Sequence, residues 1–452
     1  MTANILIVDG YSTGKLYAGR VRRRGMVPYH LTTGKAPETS SQSKPDDNYE
    51  KTFQIPPKGI EDILPVLQRL NFAAIIPGAE SGVEIAEYLA TYFALPSNDA
   101  KTTPLRRQKY LMQEAVKKCG LKYIPSLETN DLQEALRFRK DPGGGAFVIK
   151  PVKSAGTDGL KICNTENDFC DYFAALLGSK DFYGNINDKV IIQPYINGEE
   201  VYVNCVSRNG KHILTDICHY KKIKAEGAFP VYDATVLKRD LDARHKQAIA
   251  YAFKVLDALG VKYGPSHTEI MLTEDGPVLI ESGARLVGGI HDTYLEALGY
   301  DVFDWALDSF LDEAAHNKNA SLGYSPKKAF LIKWFISGKE AELVALPAPK
   351  ALSYLPGARE INFSSALKNK KIPKTVDLAT RAGECSFIGA EDEVIRSYKT
   401  ARFLETAAPR LLWQSKEDGP PNEREKEILE KLKHNISIED EIEKFSKLRR
   451  AP

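Results

Sequence analysis

Hydrophobic residues in this chain gather into short runs whose lengths and spacing predict a mixed architecture. Asn4-Ile5-Leu6-Ile7-Val8 is apolar without alternation, as a strand buried on both faces is, and Ala73-Ala74-Ile75-Ile76-Pro77 repeats the pattern. Both predict strands of a Rossmann-like sheet in a first domain over residues 1–103. Residues 104–145 read as a helical linker subdomain that ends in Asp141-Pro142-Gly143-Gly144-Gly145, a breaker that frees the backbone. Beyond it, Ala146-Phe147-Val148-Ile149-Lys150-Pro151 predicts a strand, and the stretch from Val190 to Val203 predicts strand, hinge, strand. His267-Thr268-Glu269-Ile270 and Leu279-Ile280-Glu281 flank Glu274-Asp275-Gly276-Pro277 and predict a β-hairpin. These pieces form a central region over 146–323, followed by a β-rich subdomain over 324–413 that includes the apolar run from Ala329 to Ile336. The tail, 414–452, is dense in Glu, Lys and Arg with Ile428, Leu429, Leu432, Ile438, Ile442 and Phe445 interspersed. It predicts one or two charged helices on the surface or at a homodimer contact.

The polar residues that interrupt this pattern suggest chemistry. Glu269 and Glu281 fall on the two arms of the predicted hairpin, and paired carboxylates suit a hard cation such as Mg²⁺ that keeps substrate phosphates in its shell. Arg285 follows, with a planar fork that holds a carboxylate or phosphate by two parallel bonds. Lys150 is delivered by a strand into the small-residue segment Val152-Lys153-Ser154-Ala155-Gly156-Thr157-Asp158-Gly159, a composition that lets backbone N–H groups approach phosphate oxygens. Gly10-Tyr11-Ser12-Thr13-Gly14-Lys15-Leu16 tempts a phosphate-loop reading, but its glycines are too close and Leu16 stands where Ser or Thr is required. Glu80 and Glu84 open a predicted helix, where negative charge favours the N-terminus, so a capping role is expected for both.

Taken in order, these motifs resemble the ATP-grasp fold, and the segments SAGTDGLKI, GEEVYVNCVSRNGKHILTDICHYKK and HTEI…IESGARLVGG are most similar to L-amino-acid ligases of the bacilysin and dapdiamide type. The resemblance covers roughly Met1 to Pro409 and implies an α/β and α+β fold with a Rossmann-like N-terminal domain and a β-rich C-terminal subdomain. It implies ATP contacts at Lys109, Lys150, Ser154, Ala155, Gly156, Gln193, Pro194, Tyr195, Ile196, Glu200 and His267, with the hinge at Gln193 to Ile196 reading adenine and Glu200 holding ribose. It also implies Mg²⁺, or Mn²⁺ in its place, on Glu269 and Glu281, and Arg285 with Lys222 or Lys221 as catalytic groups. Strand alternation lets only one of the adjacent lysines face inward, and Lys222 is the preferred one. The activity implied is ATP-dependent ligation of an amino-acid carboxylate to an amine through an acyl phosphate. Biotin-carboxylase-like and purine-pathway members of the same fold share these motifs and remain the alternative. One departure is Glu281-Ser282-Gly283, where many members carry Glu-x-Asn with the asparagine as a further metal ligand. Asparagine restored at Gly283 is expected to alter the Mg²⁺ dependence without unfolding the protein. Gly289, just beyond Arg285, is expected to leave a side-chain pocket open.

Composition narrows the partners. The chain has 452 residues, 43% hydrophobic and 27% charged, with a formal net charge of +2, so capture by nucleic acid or an anionic membrane is not expected. No apolar run approaches the ~20 residues of a membrane span, and a cytosolic protein acting on small molecules is expected. Cys119, Cys163, Cys170, Cys205, Cys218 and Cys385 show no metal-site or disulfide spacing.

Overall fold

The computed structural model describes residues 2–34, 48–140, 145–152, 159–180, 184–224, 230–363, 371–378 and 380–448. The chain divides into two compact units, one made of Met1–Ile217, Asp240–His291 and Asp301–Tyr324, the other of Cys218–Arg239, Asp292–Tyr300 and Ser325–Pro452. Among the described residues no helix is long and apolar enough to cross a membrane.

Among the described residues the first unit contains two four-stranded sheets and part of a third, larger one. Its N-terminal sheet is parallel, in the order Lys51–Gln54, Val27–Thr32, Asn4–Val8, Phe72–Pro77. The continuous apolar run at Ile5 to Val8 is fully buried, as an inner strand covered on both faces requires. A second, antiparallel sheet runs Leu127–Thr129, Val190–Pro194, Phe147–Pro151, Lys161–Cys163. Residues 104–145 are thus not purely helical, because Leu127–Thr129 adds an edge strand to this sheet.

The third sheet of this unit carries the predicted hairpin. Gly264–Thr273 pairs on one side with Gly276–Gly283 and on the other with Glu199–Arg208. Successive strand residues alternate between faces, and the break in register between Glu269 and Ile270 puts Leu279 and Glu281, two apart, on opposite faces. Val201, Val203, Cys205, Ile270, Leu272 and Leu279 point to one face and share a core with Ala248, Tyr251, Ala252, Val255 and Leu256 of the helix Ala243–Ala258. That helix starts on a capping box in which Asp242 accepts from the His245 amide at 3.0 Å. The opposite face is left to polar residues.

In the second unit, the C-terminal part of the strand Lys211–Lys224 is followed in sheet order by Pro230–Leu237, Ala329–Phe335, Gly383–Gly389 and Ala358–Phe363. The 17-residue helix Glu391–Ala407 packs against this sheet, so the region expected to be β-rich after residue 323 also carries helix. The charged tail forms Glu423–Lys433 and Glu439–Leu448, and Ile428, Leu432 and Ile438 are buried in the core of this unit. Apolar spacing among the charges is therefore a packing face and not merely a surface stripe.

Within this core Lys333 is fully buried, its ammonium 3.0 Å from Asp233 Oδ1 and 2.8 Å from Glu405 Oε2. Arg402 and the Tyr398 hydroxyl also donate to Asp233. Burial pushes the Glu405 carboxyl above its usual range even with Lys333 beside it. Removing the lysine would leave two buried carboxylates short of a cation, and breaking a buried pair in this way costs about 3–5 kcal/mol. Lys333→Met is expected to lower stability to chemical denaturation by that amount, and an unchanged midpoint would contradict the role given to this cluster.

Candidate active site

Register sets the polar face. Glu269 lies directly across from Glu281 on one side and Tyr202 on the other, and the next row places His267 between Gly283 and Asn204. Residues opposite one another on neighbouring strands share a face, with Cβ atoms about 4.5–5.5 Å apart. Two carboxylates so placed repel, which a sheet tolerates when cations answer them.

The first cation is Lys109, whose Nζ is 3.1 Å from Glu281 Oε2. Its place is set by the helix Lys109–Lys118, which is braced against the hairpin: Gln113 donates to the Leu279 carbonyl at 2.9 Å and the Ser282 amide donates to Met112 Sδ at 3.1 Å. Four residues of helix rise about 6 Å, and two residues of strand span about 6.8 Å. An anchor at Gln113 and Leu279 therefore brings Lys109 level with Glu281.

The second cation is Lys150, buried on the strand Phe147–Pro151. Burial pushes its ammonium down to about 8, the Lys109 charge adds to that shift, and Glu281, Glu269 and Glu200 oppose it. Burial alone would raise the Glu281 carboxyl, but Lys109 and Lys150 outweigh it and hold Glu281 well below the usual carboxylate range.

Behind Glu269, a chain of hydrogen bonds orients His267. Asp216 Oδ2 accepts from Asn204 Nδ2 at 2.6 Å, which turns Asn204 Oδ1 toward His267 Nδ1 at 2.8 Å. Asn204 Oδ1 thus accepts from Nδ1–H, and Glu269 Oε1, 3.3 Å from Nε2, accepts from Nε2–H when the ring carries both protons. Tyr202 flanks the imidazole with ring centroids 5.0 Å apart.

The remaining expected residues fall as follows. Glu200 is buried, across from Met271 on this same face. Gln193 is buried and its amide donates to Ser126 Oγ at 2.7 Å, so its side chain is engaged within the protein. Pro194 ends the strand Val190–Pro194, and the Tyr195 amide donates to the Ala146 carbonyl at 2.8 Å, while Ile196 follows half-buried. Ser154, Ala155 and Gly156 lie outside the described residues. Lys221 and Lys222 belong to the second unit, where their Nζ atoms stand 5.2 and 4.3 Å from the Tyr398 and Tyr232 ring centroids.

Arg285 holds the feature that sequence reasoning missed. Its Nε is 2.8 Å from Glu80 Oε2, and Arg107 pairs with the same carboxylate. Glu80, read above as a helix cap, stands in the single turn Glu80–Gly82 ahead of the helix Val83–Tyr92 with its side chain given to these guanidiniums. A Cβ at Gly283 would come within 2.7 Å of Glu80 Oε2, so an asparagine there, expected to alter the Mg²⁺ dependence, must also displace the Glu80 carboxylate. Gly289 has φ of 79°, a left-handed conformation that strains any side chain, although a Cβ there would meet open space. A tryptophan at 289 therefore tests backbone strain as much as pocket shape.

Among the described residues no three His, Cys, Asp or Glu side chains converge as a metal cage. Two opposed carboxylates are what Mg²⁺ uses when phosphates complete its shell, so the donor set fits that ion.

Residues 144–294 match the family model for the ATP-grasp domain. Dapdiamide A synthase of Enterobacter agglomerans is 34% identical over 300 residues, which span 66% of this chain and 70% of that protein. The L-arginine-specific L-amino acid ligase of Bacillus subtilis is 20% identical over 227 residues, spanning 50% and 54% of the two chains. The crystal structure of L-amino acid ligase from Bacillus licheniformis superposes with a TM-score of 0.70 at 15% identity, covering 89% of this chain and 97% of that one, a likeness of fold. The chain belongs to the ATP-grasp family, together with dapdiamide A synthase.

Proposed function

We propose that the protein is an ATP-dependent carboxylate–amine ligase that joins the carboxylate of one amino acid to the amine of a second, through an acyl phosphate, with release of ADP and phosphate. The observation that carries this reading is the direct opposition of Glu269 and Glu281 with Lys109 and buried Lys150 beside them. The similarity to dapdiamide A synthase supports the ligase class.

In this reading a carboxylate oxygen of the first amino acid attacks the γ-phosphorus and ADP leaves. The amine then adds to the acyl carbon, and the bond to the phosphate oxygen breaks to give amide and inorganic phosphate. Lys109 and Lys150 neutralise phosphate charge, and positioning with charge stabilisation supplies most of such catalysis. Mg²⁺, held by Glu269 and Glu281, would supply Lewis-acid charge neutralisation at the phosphates. Arg285 receives the substrate carboxylate and, after amine addition, the oxyanion. Glu200 holds the ribose hydroxyls. His267, fixed by Asn204 and Asp216, keeps Glu269 oriented. Phosphate release from ATP across pairs of amino acids, with mass detection of products, tests the reading: release that requires two amino acids supports it, and amino-acid-independent turnover sinks it.

Three outcomes follow from these roles. Arg285→Ala is expected to lower kcat by about 10²–10³, the usual loss when one donor to a developing oxyanion is removed; a change confined to KM for ATP would contradict the assignment. Glu269→Ala and Glu281→Ala should each abolish the gain in ATP affinity on adding Mg²⁺, measured by calorimetry. Either one keeping that gain would remove it from the cation site.

Lys150→Met separates function from stability. The folded pKa of about 8 lies below the unfolded value of about 10.4, so below pH 8 the folded state carries a buried charge that the unfolded state hydrates. That penalty, about 3 kcal/mol, diminishes as pH rises from 8 to 10.4 because the folded lysine gives up its proton first. The methionine variant should therefore lose ATP turnover yet melt higher than the parent at pH 7, with the difference shrinking over that window. A variant that melts lower at pH 7 would show that Lys150 is held by stabilising interactions.

A further inference from the structure

Glycine at position 283 removes a side chain at the second acid of the hairpin, and something else stands in the space. The backbone of Gly283 is not in the left-handed region, so it is space and not conformation that requires glycine. A Cβ there would lie 2.7 Å from Glu80 Oε2 and 3.5 and 3.6 Å from Arg285 Cζ and Nε. Real Cβ atoms do not approach so closely, and the atoms met belong to an ion pair held on both sides. Glu80 comes from the loop after Phe72–Pro77, in the N-terminal parallel-sheet region, far along the chain from the hairpin.

We propose that Glu80 is a positioning residue that holds Arg285 in the orientation needed to receive the substrate carboxylate, using the volume that a side chain at position 283 would otherwise fill. The inference rests on the ligase reading of Arg285. A guanidinium is planar, so fixing its Nε edge fixes the direction of its remaining N–H groups. Glu80 Oε2 holds this edge by charge, as an ion-pair partner 2.8 Å from Nε, and Arg285 Nη1 donates to the Leu286 carbonyl at 3.2 Å, which sets the plane.

Glu80 is itself placed by its second partner. Arg107 pairs with it and reaches toward Glu84 at 3.9 Å, and the neighbouring Arg106 is locked in the interior by Glu87 at 2.7 Å and by the Leu259 carbonyl at 2.7 Å. The short helix Pro104–Arg107 is thus pinned at Arg106, and Arg107 presents a fixed guanidinium to Glu80. Burial alone would raise the Glu80 carboxyl, but Arg107 and Arg285 outweigh it and keep the group ionised. A carboxylate matched by two guanidiniums is poorly suited to be a third ligand for a hard cation, which favours positioning over metal binding. Glycine at 283 and Glu80 then act as one unit: the carboxylate needs the empty volume, and Arg285 needs the carboxylate.

Two measurements on the full chain test this. In thermal unfolding without ligands, Gly283→Ala should lower the melting temperature in the parent and have little effect in the Glu80→Ala background. Equal lowering in both backgrounds would overturn the shared-volume claim. In phosphate-release kinetics, Glu80→Gln keeps the shape and removes the charge; KM for the carboxylate-donating amino acid should rise about tenfold or more while KM for ATP stays within about twofold. An unchanged amino-acid KM, or equal rises for both substrates, would overturn the positioning role. If the parent releases no phosphate in response to amino acids, the ligase reading fails and the role of Arg285 fails with it, while the unfolding cycle still shows whether Glu80 and position 283 share their volume.

Discussion

Two carboxylates facing each other across a β-hairpin are the constraint to which the rest of the first unit answers. Like charges directly opposite on neighbouring strands destabilise a sheet, and Glu269 and Glu281 are such a pair. Lys109 and Lys150 answer the repulsion, and each is held by a different element: a helix braced on the hairpin through Gln113, and a strand of the adjacent antiparallel sheet. The apolar back face, covered by the helix Ala243–Ala258, keeps the hairpin rigid, and the Leu279 amide donates to the Tyr251 hydroxyl at 3.0 Å. Core on one side and charge on the other is the division that strand alternation allows.

Burial disfavours the charge on Lys150. It depresses the ammonium pKa, and an incoming phosphate anion would favour the charged form. Conflict of this kind between local stability and polar chemistry is expected at a functional site. The N-terminal region enters the same site through charge. Arg106 and Glu87 form a buried pair that positions Arg107, and Arg107 positions Glu80 beside Arg285.

How much of this was legible in the chain differs by kind. Continuous apolar runs marked the strands at Asn4, Phe72, Phe147 and Val190, and the turn between Thr273 and Gly276 marked the hairpin, because periodicity and turn chemistry are local signals. The positions of Lys109, Lys150, Glu269 and Glu281 were named from motif order, and the structure brings these four together. Glu80 was not recognised, since its partners Arg107 and Arg285 are 27 and 205 positions away and a glutamate ahead of a helix reads locally as a cap. The edge strand Leu127–Thr129 was missed for a similar reason: three residues carry little pattern, and pairing with Val190–Pro194 alone makes them a strand. Burial of the tail helices was underestimated because their dense charges obscured the spacing of Ile428, Leu432 and Ile438.

The central claim is that this site activates a carboxylate by joining it to the γ-phosphate of ATP. The most direct measurement follows oxygen. With the first amino acid labelled with ¹⁸O in its carboxylate, the inorganic phosphate released on amide formation is expected to carry one labelled oxygen per amide, because the bond broken lies between the acyl carbon and that oxygen. Amide formation with unlabelled phosphate would contradict the account.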